Sequence, residues 1–131
     1  MTKQKSDPTD SQPSADWVGD TFNGSASGDT GELQMRWRRS GSTLDINVLR
    51  YKISGDGSRK SGNINIIVHA HYGKEWKLNK NNCIQDGTFQ DWDAYGTLDL
   101  GSAVRITVKV VIVFDQPGID DRTTITKEFD V

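Results

Sequence analysis

The sequence predicts an all-β protein, an antiparallel β-sandwich of seven to eight strands in a jelly-roll or immunoglobulin-like order, with a flexible N-terminal tail. Three observations predict it. The C-terminal stretch AVRITVKVVIVFD, QPGIDD, RTTITKEFDV alternates apolar and polar residues on both sides of a polar loop, the period-2 pattern of a half-buried hairpin. Similar short segments recur, with Gly-, Asp- and Ser-rich turns about every 8–12 residues. No capped segment with a 3.6-residue apolar period appears in the chain.

The elements follow in order. Residues 1–16, MTKQKSDPTDSQPSAD, hold almost nothing apolar after Met1 to offset ordering entropy, and read as a disordered tail. A single domain is expected over residues 17–131, opening with a short strand in WVGDTF and continuing through NGSASGDTG as loop or irregular edge. In ELQMRWRRSGSTLDINV, a two-residue Ser40-Gly41 turn would pair Trp37 with Leu44, Met35 with Ile46 and Leu33 with Val48, and Arg36 with Asp45 on the other face. Past Val48 the apolar phase slips to Leu49, Tyr51 and Ile53, the mark of a bulge or of a strand crossing between sheets.

After the loop GDGSRKSG, the segment NINIIVHAHY puts Ile64, Ile66, Val68, Ala70 and Tyr72 on one face and Asn65, Ile67, His69 and His71 on the other. The stretch from Tyr72 to Tyr95 is less regular and is expected to be loop-rich, with strand fragments at Glu75–Leu78, Cys83–Ile84, Thr88–Trp92 and Tyr95–Leu100. In the final hairpin, pairing Phe114 with Thr123 sets Ile112 against Ile125, Val108 against Phe129, Lys109 against Glu128 and Asp115 against Arg122. Val111 and Val113 interrupt its polar face, as in a central strand.

Composition bounds the function classes. With 131 residues, 34% hydrophobic and 26% charged, the chain can bury a core without covalent staples. One cysteine, Cys83, excludes an intrachain disulfide framework. No apolar leader and no membrane-length run occur, so the expected location is cytoplasmic, or outside the cell by release without a signal peptide. The net charge of −2 gives no global attraction to nucleic acid. Arg36, Arg38, Arg39, Arg50, Lys52, Arg59 and Lys60 enrich the first half in positive charge, but Trp37 and Tyr51 fall on predicted core faces and leave no stacking platform there. Neither a nucleic-acid partner nor membrane insertion is expected.

Catalytic signatures are absent. Cys83, beside Ile84, reads as a small buried side chain rather than a nucleophile. His69 and His71, at i and i+2, point to one side of a strand and would need further ligands to hold a metal. Asp86, Asp91, Asp93 and Asp99, and then Asp115, Asp120 and Asp121, match no ordered calcium loop and read as turn-formers. No cofactor is expected.

What remains is the Tyr72–Tyr95 stretch, which mixes aromatic rings with amides and carboxylates. Sugar recognition needs an aromatic face for the C–H patch of a pyranose and planar polar groups for its hydroxyls. Trp76, Asn79, Asn82, Trp92, Asp93 and Tyr95 are the candidate ligand-binding residues, although core packing competes for Trp92 and Tyr95. The expected function is a non-enzymatic, lectin-like module for carbohydrate or another polar ligand, with a homo-oligomer possible. The alternative is an assembly subunit of a phage particle, secretion machine or inclusion, acting through exposed strand edges.

Overall fold

A computed structural model describes residues 16–131. The expected tail, apart from Asp16, lies outside the described residues. Eight strands follow: β1 (Val18–Ala26), β2 (Asp29–Ser40), β3 (Thr43–Ile53), β4 (Arg59–Ala70), β5 (Glu75–Gln85), β6 (Gln90–Asp99), β7 (Arg105–Phe114) and β8 (Asp121–Asp130). They form two four-stranded antiparallel sheets ordered β1-β2-β3-β6 and β5-β4-β7-β8, the architecture of a β-sandwich. The β3–β4, β5–β6 and β6–β7 connections all cross between sheets, so that β6 closes on β3 and β7 on β4.

Alternation builds the core. Phe22, Leu33, Met35, Ile46 and Val48 project inward from the first sheet, and Ile64, Ile66, Val108, Val110, Ile112 and Phe114 from the second, all at most 1% exposed. Each such aliphatic side chain removed from water contributes about 1.5–3 kcal/mol. The two sides of the sandwich are shut differently. Where β1 meets β8, Phe129 packs against Trp37 and Phe22 with ring centroids 4.7 and 6.1 Å apart, and Lys127 Nζ reaches Asp20 Oδ2 at 3.2 Å. Where β5 meets β6, two indoles fill the gap between the sheets.

Several expectations are corrected. The segment after WVGDTF is neither loop nor broken: β1 continues to Ala26 and turns at Ser27-Gly28, whose φ values of +51° and +85° suit a tight hairpin. The β2–β3 turn is Gly41-Ser42 rather than Ser40-Gly41, with Gly41 at φ +62°. Partners on the turn side of the Leu49 bulge therefore move by two: Trp37 faces Ile46, Met35 faces Val48, Arg36 faces Asn47, and it is Arg38 that faces Asp45, at 3.2 Å, while Leu33, beyond the bulge, faces Tyr51. The final hairpin shifts by two as well. Phe114 faces Asp121, Ile106 faces Phe129 and Val113 faces Arg122, while Asp115 pairs instead with Arg59 at 3.4 Å.

Both errors have one cause. A shift of two keeps every apolar side chain on the same face, so alternation alone cannot separate the registers and turn geometry decides. The phase slip at Leu49 is a bulge, since β3 runs on to Ile53 with register irregularities against both neighbours. β7 is central, between β4 and β8, with Val111 and Val113 half-buried.

The register is testable by double-mutant cycles in urea. Arg38→Ala with Asp45→Ala is expected to show coupling of about 1 kcal/mol, and Arg36→Ala with Asp45→Ala to add independently. Coupling in the second pair alone would return the hairpin to the Ser40-Gly41 turn.

Candidate functional site

The Tyr72–Tyr95 stretch is not loop. It is two edge strands, β5 and β6, on opposite sheets, joined by a short connection at 86–89. Strand alternation sends its six candidate residues to separate places, so they form no single site.

Trp76 and Trp92 point inward. The Trp76 indole lies over Gly96 so closely that a Cβ there would collide with Nε1. Trp92 meets Tyr51 edge-on at 6.3 Å, with Lys80 Nζ 5.8 Å from its own ring centre. Both rings pack against the core and close the β5/β6 side of the sandwich. Asn79 faces outward from the second sheet, among asparagines whose amides bond one another: Asn79 donates to Asn81 at 3.2 Å and Asn65 to Asn63 at 2.7 Å.

Asn82 and Asp93 serve the backbone. Gly62 pairs with Cys83 and Ile64 with Lys80, so Asn81 and Asn82 together oppose Asn63 in a bulge with Asn82 at φ +58°. Asp93, at φ +51°, sits at the irregularity opposite the Leu49 bulge and accepts from Asn47 Nδ2 at 3.4 Å. Asn and Asp enter this left-handed region at low cost, and bulges of this kind break the ladder that an edge strand offers to another chain. Tyr95 is 65% exposed on the outer face of the first sheet, opposite Asn47.

Cys83 is fully buried, and burial raises its thiol pKa. Its neighbour Tyr51 is pushed up to about 12, first by burial and then by the cysteine. A buried thiol held protonated is a poor nucleophile. Among the described residues no group of three or more His, Cys, Asp or Glu stands together to hold a metal ion. At the end of the sandwich that holds the β3–β4 and β7–β8 connections, Asp29, Asp56 and Asp115 line a polar hollow of about 600 Å³. Its floor is Gln85, whose amide donates to the Asp115 carbonyl at 3.1 Å and accepts the Asp115 N–H at 2.6 Å. Asp86 folds back on Thr88, whose backbone N–H and hydroxyl hold its carboxyl below the usual range.

A groove of about 710 Å³ lies at the opposite end, between the β4–β5 turn and the β6–β7 crossing. Gly73 N–H bonds the Ala70 carbonyl at 2.9 Å, closing a turn that carries Tyr72 outward at φ +63°. Instead of the inward face expected for it, Tyr72 takes the tip, 97% exposed, with its ring against that of His71 at 4.8 Å. The facing wall offers Asp99, Ser102, Arg105 and Val104, the last 67% exposed. Of these, sequence reasoning named Tyr72 among the aromatic residues, His71 as half of a histidine pair and Asp99 as a turn-former, and missed Ser102, Val104 and Arg105. The available signal was Gly73, which ends the alternation of NINIIVHAHY and places Tyr72 at a turn rather than in the strand.

No helix among the described residues is long and apolar enough to cross a membrane. No family model matches the chain, and no curated protein or solved structure matches it either.

The assignment of Trp76 to the interior has a direct check. Trp76→Ala is expected to cost about 3 kcal/mol in denaturant unfolding, and Gly96→Ala about 1–3 kcal/mol because the added methyl meets the indole. Combined, the two are expected to cost less than their sum. A near-neutral Trp76→Ala would make the ring a free surface platform again.

Proposed function

We propose that this protein is a non-enzymatic binding module that recognises carbohydrate in the groove beneath Tyr72. One observation carries the reading: a large aromatic ring stands almost fully exposed on a turn residue at φ +63°, a conformation that glycine or asparagine adopts more easily. A bulky side chain in that region costs on the order of 1–2 kcal/mol. Backbone strain of this kind concentrates at binding sites, where the side chain is wanted despite its cost.

The surroundings suit a sugar. Tyr72 supplies a flat apolar face, Val104 and Ala103 a second apolar wall, and Asp99, Ser102 and Lys74 polar groups within the same groove. A volume of about 710 Å³ falls in the ordinary range for small-ligand clefts. Bulges at Asn82 and Asp93 interrupt both strands of the β5/β6 side, which disfavours edge-to-edge assembly there.

Replacing Tyr72 by Gly separates ring from fold. The variant is expected to keep or gain stability, by up to about 1 kcal/mol, because glycine relieves the left-handed backbone. Selective signal on a glycan array is expected to vanish with it, while Tyr95→Ala leaves the signal intact. Array binding that survives Tyr72→Gly refutes the groove as the site. A protein that binds no glycan but scatters light as a defined oligomer would support the assembly function in its place.

A further inference from the structure

Resting on that reading, we infer that the groove takes uncharged pyranosides, and that Asp99 is the residue that selects them by accepting from a pair of neighbouring hydroxyls. The charges around the groove are already matched. Lys74 Nζ lies 3.6 Å from Asp99 Oδ2, and Arg105 Nε lies 3.2 Å from Asp130 Oδ1. A sulfated or carboxylated sugar would have to share these cations with the carboxylates already beside them, or approach Asp99 directly, at the expense of like-charge repulsion. An uncharged sugar meets neither obstacle.

Asp99 is also held in position. Its Oδ1 accepts the Gly101 N–H at 3.0 Å, fixing the carboxylate against its own loop, while Lys74 stands beside Oδ2. A carboxylate has about four acceptor positions, so two remain for ligand hydroxyls. Its side chain is 60% exposed, on the same groove as the Tyr72 ring. Ring and carboxylate thus supply the two halves of sugar recognition: the ring takes the C–H face, and the carboxylate takes two hydroxyls at the sugar's edge. Hydrogen bonds from hydroxyls to a charged acceptor are about twice as strong as neutral ones, which lets one residue dominate selectivity.

The test uses the full chain on an array of neutral, uronate-bearing and sulfated glycans, at about 0.05 and about 0.5 M salt, where screening differs strongly. Tyr72-dependent signal is expected on neutral glycans and should change by less than about twofold with salt. Asp99→Asn keeps an oxygen for the Gly101 N–H, so thermal stability should hold while affinity falls by at least about tenfold. Tyr72-dependent signal that is strongest on acidic glycans and collapses in high salt overturns this inference and leaves carbohydrate binding at Tyr72 standing. So does an Asp99→Asn variant that folds and binds as the parent does. Signal on no glycan, or signal independent of Tyr72, overturns both.

Discussion

Two alternating strand faces pressed against each other hold this molecule together, and nearly every other feature is a consequence. With no helix among the described residues, and no second cysteine in the chain to form a disulfide, the apolar side chains of β2, β3, β4 and β7 bury chiefly against one another. Those four strands sit at the centres of their sheets. The outer strands β1, β5, β6 and β8 carry thinner apolar faces, and their burial depends on bulky side chains at the seams: Phe129 on one side, Trp76 and Trp92 on the other.

That division of labour explains why the indoles are structural. A sandwich of two four-stranded sheets has two open sides, and each needs large rings to exclude water from the core. Gly96 is small because Trp76 occupies the space where a side chain would stand. Residues that looked like a cluster of aromatics and amides along the chain are distributed by the pleat to the interior, to the bulges and to two opposite outer faces. The ends of the sandwich, where the backbone leaves the sheets, bring several connections together around one ligand-sized groove.

The legible part of the fold was the part governed by a period of two. The inward face of β4, the alternation of β7, the slip at Leu49 and the interior position of Met35 and Ile112 follow from residue order alone. Register was not legible, because Gly41 and its neighbours allow two turns that differ by two residues and bury the same side chains. Nor was the continuity of β5 and β6. Asn79, Asn81, Asn82, Asp91 and Asp93 suggest loop by composition, yet these strands lie at sheet edges with one side facing solvent, where amides and carboxylates are tolerated. The groove was hardest to see, since Tyr72 and Asp99 lie 27 positions apart and meet only because the β4–β5 turn and the β6–β7 crossing share one end of the sandwich.

The account stands on the location of that groove, and chemical-shift mapping tests it most directly. A backbone-labelled sample titrated with a mixture of neutral oligosaccharides should show shifts confined to the β4–β5 turn around Tyr72 and to the residues between Asp99 and Arg105. Shifts centred instead on Asn79, Trp92 and Tyr95, with the Tyr72 turn silent, would contradict it.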